Sequence, residues 1–259
     1  MTVDPLFEAV RPRVVVEVGM YQGETTQKLL DYASSHDGVV HGIDPADPPD
    51  FDVAAFREPY GERFVFHNKG SLDVLPQIRD PDFVLLDGDH NWYTVYNELS
   101  ALAQVAQQES RPFPLTLMHD VDWPWGRRDM YYDPDRIPAE HRQPVTTGGL
   151  KLETTDLSER GFAWRVQKAA MSGTPQNGVR TAIEDFLAQA DVPLRFTSVP
   201  GFHGVGVVAD QRLLADPAVA EALATLESPA FLRAHCERLE HSRLWAMVQA
   251  AEARQQGNR

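Results

Sequence analysis

The chain has 259 residues, enough for one large domain with insertions, or one domain plus a small appendage, around a substantial core. Its 24 basic residues stand against 38 acidic ones, and the resulting formal charge of −14 would repel a phosphate backbone, so nucleic acid is not an expected partner. A single cysteine, Cys236, excludes an internal disulfide framework. No run approaches the roughly 20 apolar residues that cross a bilayer, and the opening Met1-Thr2-Val3-Asp4-Pro5 lacks the basic and apolar stretches of an export signal. These features exclude a membrane partner and predict a cytoplasmic protein.

The first predicted strand covers about 13–18. Its β-branched run is apolar on both faces, as a central parallel strand requires, and it breaks into Gly19-Met20-Tyr21-Gln22-Gly23 before a helix from Glu24 to Ser34. A dinucleotide fingerprint needs glycine where this turn has Tyr21, because a pyrophosphate must lie against bare backbone there. In place of that fingerprint an acid ends the strand, in the spacing Glu17-x-Gly19-x-x-x-Gly23. A second strand, 38–44, ends in Asp44 about twenty residues beyond the turn, where nucleoside-binding α/β folds accept hydrogen bonds from ribose hydroxyls. Asp44 also precedes Pro45, and a plain Asp-Pro turn explains it as well.

After a proline-rich loop at 45–50, a third strand is predicted at 63–68. It leads to Ser71, which is expected to cap a short helix. The fourth strand, 82–86, ends in Asp87-Gly88-Asp89-His90. Trp92, Val95, Leu99, Leu102 and Ala106 then mark one face of a long helix at three- and four-residue steps. The fifth strand, 113–118, ends in His119-Asp120. Two consecutive strands thus finish in histidine plus carboxylate, at the sheet edge where doubly wound folds place their ligands.

Periodicity is lost over about 121–177, a segment that collects Trp123, Trp125, Tyr131, Tyr132 and Trp164 among several prolines. Long segments of this kind are functional covers or disordered, and the aromatics argue against disorder. The expectation is an aromatic lid over a substrate, with Trp123, Trp125, Arg127, Tyr131 and Tyr132 lining it; anchoring of the insertion is the plainer alternative. Val179, Ile183, Phe186 and Leu187 define a further helix. Strands at 194–199 and 204–209 form a closing hairpin, and Ser228-Pro229 starts a last helix carrying Leu232, Cys236, Leu239 and Trp245. That helix covers the sheet or pairs with a second copy of the chain.

In order and spacing these elements resemble the class I S-adenosylmethionine-dependent methyltransferases from about residue 10 to 210. Within that class the Asp-Gly-x-His element and the acid after the fifth strand are similar to the macrocin and mycinamicin type of small-molecule O-methyltransferase and to the cephalosporin-hydroxylase-like group. The resemblance implies a doubly wound seven-stranded sheet with an antiparallel last strand. It implies a methyltransferase domain over 1–210 with the lid inserted, and a helical appendage over 211–259. It implies S-adenosylmethionine held by Glu17, Gly19, Met20, Gly23, Asp44, Ser71, Leu72 and Asp87, the acids matching the cofactor's ammonium, sulfonium and ribose. It implies Mg²⁺ between Asp87 and Asp120, although His119 stands where that family commonly has a second acid. It names His90 as the base for a small-molecule hydroxyl, with His119 as the rival. An NAD-dependent oxidoreductase or hydroxylase-like relative on the same fold, and a cofactor-binding protein without turnover, remain as alternatives.

Overall fold

The computed structural model describes residues 4–46 and 52–257; positions 47–50 of the proline-rich loop lie outside them. The chain runs α1 (Asp4–Val10), β1 (Val14–Val18), α2 (Glu24–His36), β2 (Val39–Ile43), α3 (Val53–Tyr60), β3 (Phe64–His67), α4 (Ser71–Val74), β4 (Phe83–Leu86), α5 (Trp92–Gln108) and β5 (Leu115–His119). Short strands β6 (Met130–Tyr131), β7 (Val145–Thr146), β8 (Gly149–Lys151), β9 (Thr154–Ser158) and β10 (Gln167–Ala169) follow. The chain closes with α6 (Val179–Gln189), β11 (Leu194–Val199), β12 (Val205–Asp210), α7 (Pro217–Thr225) and α8 (Pro229–Gly257).

Seven strands form one sheet in the order β11-β12-β5-β4-β1-β2-β3. Only β12 runs against the rest, pairing antiparallel with both β5 and β11. The expected doubly wound sheet with an antiparallel last strand is therefore the observed one. Its parallel part reverses direction of winding between β1 and β4, and a crevice opens there at the carboxyl ends of the strands.

The two-residue period of a strand explains how one valine run serves two layers. Val16 and Val18 of β1 face α5 and α6, among Val95, Leu99, Ile183 and Phe186. Val15 faces the opposite layer with Leu29, Leu30 and Ala33 of α2 and Leu223 of α7. Helices α1 and α7, which show no clear sequence signal, pack together in that second layer. The segment after 210 is accordingly not wholly an appendage, because α7 completes the core.

The predicted stripe on the last helix is displaced. Leu232, Cys236 and Trp245 are exposed, while Phe231, His235 and Leu239 turn inward; His235 Nε2 lies 2.6 Å from the Pro200 carbonyl. Beyond Glu240 the helix projects from the body with Leu244, Trp245, Met247 and Val248 open to solvent. Among the described residues no helix is long and apolar enough to cross a membrane.

The 121–177 insertion is ordered. It holds a three-stranded sheet, β6-β10-β7, and the β8–β9 hairpin. In its interior, buried charge joins apolar side chains such as Trp125, Met130 and Leu150. Arg128 donates to the carbonyls of Ala169 (2.6 Å), Ala170 (2.9 Å) and Thr155, and Lys168 to those of Gly148 and Ala163, both at 2.7 Å. Such groups are tolerated in the interior because backbone oxygens satisfy them.

Candidate active site

The turn after β1 meets the end of β4. Gly19 adopts φ 83°, and a side chain there would collide with the Asp87 carbonyl and the Gly88 Cα, so only glycine lets the two strand ends close. Gly23, at φ 79°, precedes α2 in the same left-handed region. Tyr21 is also left-handed, at φ 46°, with 78% of its surface exposed.

The sequence-named cofactor residues divide on inspection. Asp44 accepts from the backbone N–H groups of Met20 and Ala46, each at 3.0 Å, which ties the end of β2 to the glycine turn. A carboxylate has about four acceptor positions, so two are left for a ligand. Met20 contributes its backbone to the turn, but its side chain is buried in the second core layer, where a Cβ on Gly42 would strike its sulfur at 2.5 Å. Glu17 is sealed beneath the turn at 1% exposure. Its carboxyl accepts from Thr26 Oγ1 at 2.6 Å, and burial pushes its pKa up to about 8. It is largely protonated at neutral pH, so it does not offer the standing negative charge that the strand-end reading gave it.

Ser71 does not cap α4; the N-cap is Gly70, and Ser71 is instead buried and hydrogen-bonded to Glu98 of α5. Glu98 is a site neighbour that the sequence reading missed. Burial raises its pKa to about 8, and its Oε1 has no partner. A signal existed, since position 98 falls on the same helical face as Val95, Leu99 and Leu102, and a charged residue on a core stripe calls for an explanation.

The chemistry concentrates where β4 and β5 end. Asp87, His90, His119 and Asp120 bring one ligand atom each within 4.8 Å of one another. His90 Nε2 lies 2.7 Å from Asp120 Oδ2 and 3.5 Å from Asp87 Oδ1; His119 Nδ1 lies 3.1 Å and 3.3 Å from the same two oxygens. The His90 contact is close but outside hydrogen-bond alignment, and Nδ1 of His90 and Oδ1 of Asp120 are buried without partners. His119 Nδ1 is hydrogen-bonded to Asp120 Oδ2, so the four groups converge on one small volume.

Local structure fixes each group. Asn91 caps α5 by accepting from the Thr94 N–H at 2.8 Å, which places His90 just ahead of the helix. Asp120 sits at φ 58°, a conformation that costs little for Asp and turns its carboxylate back toward His90. Arg180 of α6 holds the following loop by donating to the Val121 carbonyl (3.0 Å) and to Asp122 (2.7 Å).

The partial positive charge at the N-terminus of α5 works against a protonated His90. Burial does pull its pKa down, but the carboxylates of Asp120 and Asp87 outweigh burial and raise it to about 9. Hydrogen bonds to Asp120 and Asp87 raise His119 further, to about 10, against burial. Burial would lift both carboxyls, yet the two histidines hold Asp87 below the usual carboxylate range and Asp120 far below it. A full charge at 3 Å exceeds the half-charge of a helix end. Without a bound cation the cluster therefore rests as two imidazolium and two carboxylate groups.

Of the five predicted lid residues, two border this cleft. Tyr132 leans over His90, ring centres 6.2 Å apart; although 70% exposed, its hydroxyl is pushed up to about 12 by lost hydration and by Asp87, Asp89, Asp120 and Asp44 below it. Trp123 joins Phe162 and His203 in an aromatic rim whose His203 ring packs edge-on to His119. The other three serve the insertion. Trp125 is buried in the core, Arg127 pairs bidentately with Glu184 at 2.6 Å, and the Tyr131 hydroxyl donates to Asp129 at 2.9 Å. Asp129 is the joint that sequence did not reveal: it also accepts from the N–H groups of Trp92 (2.7 Å) and Gly178 (2.6 Å), while Met130 N–H donates to the His90 carbonyl (3.0 Å). The insertion thus grips the backbone on both sides of Asn91.

Residues 16–121, from β1 to the loop after β5, match the family model described as "Methyltransferase domain". No curated protein matches the chain. Among solved structures the chain is similar to the SAH-bound methyltransferase PaMTH1 of Podospora anserina, with 13% identity over 80% of this chain and 76% of that one and a TM-score of 0.49. It is also similar to the O-methyltransferase of Bacillus cereus in complex with SAH, with 16% identity over 80% and 78% of the two chains and a TM-score of 0.48. Neither likeness says what this chain acts on. Residues 16–121, which carry the glycine turn closed against β4, are thus similar to a methyltransferase domain, within a seven-stranded sheet whose single reversed strand is β12.

Proposed function

We propose that the protein transfers the methyl group of S-adenosylmethionine to a hydroxyl of a small acceptor, with a divalent cation held by the cluster at the ends of β4 and β5. The observation that supports this most is the double position of Asp87: its backbone closes on the Gly19 turn, and its side chain belongs to the four-group cluster. Donor and acceptor sites then share one residue, which is the alignment that in-line displacement requires.

In this reading Gly19 to Gly23 receive the methionine end of the cofactor, Asp44 the ribose hydroxyls, and the Ser71-Leu72 loop the adenine. Asp87 and Asp120 supply the oxygen ligands of the cation. The His90 imidazole beside these oxygens, with His119 left free of the ion, makes the donor set softer than an all-oxygen Mg²⁺ site, so Mn²⁺ and other nitrogen-tolerant ions fit as well as Mg²⁺. A bound cation would lower the pKa of the acceptor hydroxyl and offset its developing charge.

The two histidines differ in access. The His90 side chain is 8% exposed and that of His119 is 32% exposed, beside the aromatic rim. We therefore assign His119, rather than His90, as the acceptor-side base, with His90 holding Asp120 from beneath. S-adenosylmethionine would supply the methyl group; His119 would take the acceptor's proton, because a cation on Asp87 and Asp120 would draw off the carboxylate charge that otherwise keeps its imidazole protonated. Trp123, Phe162 and Tyr132 suit the flat or sugar face of a natural product. The free half of α8, with Leu244, Trp245 and Val248, is the surface on which a second copy would pair. Methyl transfer is tested by incubating the chain with labelled cofactor, Mg²⁺ or Mn²⁺ and a panel of phenolic and glycosylated hydroxyl compounds; cation-dependent labelling is expected, and binding of cofactor with no transfer to any acceptor would leave a binding protein.

A further inference from the structure

Away from the catalytic end, the sheet face beneath α4 carries polar groups that the proposed reaction does not use. His41 on β2 and His67 on β3 stack with ring centres 5.3 Å apart, and His41 Nδ1 lies 3.0 Å from His67 Nε2. Both open into a cavity of about 390 Å³, also lined by Lys69, Gln77 and Arg79 over an apolar floor that includes Val74 and Ile78. That size lies within the range of small-molecule pockets. No carboxylate lines it, which is unusual in a chain with a formal charge of −14.

The proton count of the pair matters. A neutral imidazole has one N–H and one lone pair, and the bond between the rings uses one of each. One N–H and one lone pair are left for the cavity. Burial, and then His67, hold His41 down to about 4, while burial and then Lys69 lower His67, so the pair is neutral when the cavity is empty. The surrounding charges are few. Lys69 makes no ion pair among the described residues, Arg79 is 3.4 Å from Glu109 at the end of α5, and the Asp73 carboxyl of α4 is turned toward Gly70.

We propose that this cavity binds a small phosphate-bearing anion, held by Lys69, Arg79 and the outward N–H of the His41–His67 pair. Protonation of the pair converts its outward lone pair into a second N–H, so binding takes up a proton and strengthens as the pH falls. The inference is independent of the methyl-transfer reading, since none of these groups belongs to that site.

Calorimetric titration of inorganic phosphate and of glycerol phosphate into the full chain tests it, with dimethyl phosphate, whose single charge does not change between pH 6 and pH 8, as the probe of pH dependence. The expected result is saturable one-site binding, with dimethyl phosphate bound about threefold or more tighter at pH 6. Binding should weaken by about tenfold in Lys69→Ala and in His67→Gln, the usual scale for a charge-assisted hydrogen bond, and persist in saturating S-adenosylhomocysteine. Lys69 is exposed, so Lys69→Ala keeps the test sound even where His67→Gln fails to fold. Absence of saturable binding, equal binding by Lys69→Ala, or displacement by S-adenosylhomocysteine would each overturn the proposal, the last by placing the anion at the glycine turn.

Discussion

Two histidine pairs stand on or beside the same sheet and have been pushed in opposite directions. His41 and His67 have only each other, Lys69 and an apolar floor, and burial lowers both. His90 and His119 share two carboxylates within about 3.5 Å, and those acids overcome burial and raise both. Residue type and strand position therefore do not decide the charge of a histidine. The neighbours brought in by other strands do, because a desolvated ring is expensive to charge until a counter-charge replaces the water.

The sharpest way to break this contrast is to remove what the raised pair is built around. Exhaustive chelation should abolish transfer and added Mg²⁺ or Mn²⁺ should restore it, while Asp120→Asn should lose on the order of 10²–10⁴-fold in turnover and respond poorly to added cation. Full turnover after chelation would leave the acids as acceptor-positioning groups only.

A smaller effect distinguishes the two raised histidines from one another. His119→Ala should lower turnover by about 10²-fold with cofactor affinity almost unchanged, whereas His90→Ala should act less on the chemical step and more on cation affinity. The opposite ranking, with an unchanged pH profile for His119→Ala, would return the base to His90.

Charge states can be read directly by ¹⁵N chemical shifts of the histidine rings in cation-free protein. At pH 7 the rings of His90 and His119 should be imidazolium, and those of His41 and His67 neutral. A neutral His90 would show that the helix end, and not Asp120, governs it.

The smallest expected effect lies in stability. His90 and His119 have folded pKa values above the unfolded 6.5, so their contribution is complete below about pH 6.5 and is lost as pH rises through about 9 to 10. Asp120, depressed, contributes above about pH 4 and loses that contribution in acid. His41, held to about 4, acts oppositely to its counterparts and costs stability as pH falls from 6.5 toward 4. The cation-free protein should thus melt a few degrees lower at pH 10 than at pH 7, at roughly 2–4 °C for each kcal/mol lost. Asp120→Asn should flatten that alkaline arm, and an unchanged arm in this variant would detach the raised values from Asp120.

The sequence by itself determined the parallel strands, their order of use and the turn at Gly19, because a buried β-branched run and a glycine at a strand end have few other physical uses. It also located Asp87, His90, His119 and Asp120, since strand ends in such sheets converge on one edge. It did not determine their protonation, which arises from distances between two strands that are thirty residues apart in the chain. It misjudged Trp125, Arg127 and Tyr131, whose aromatic or charged character fits a lid and a core anchor equally; only packing against α6 and Asp129 separates the two. The insertion was legible as a loss of period whose aromatics argued for order, but its strands were not, because they gather carbonyls around Arg128 and Lys168, and a hydrogen bond to backbone leaves no mark on the identity of the acceptor residue.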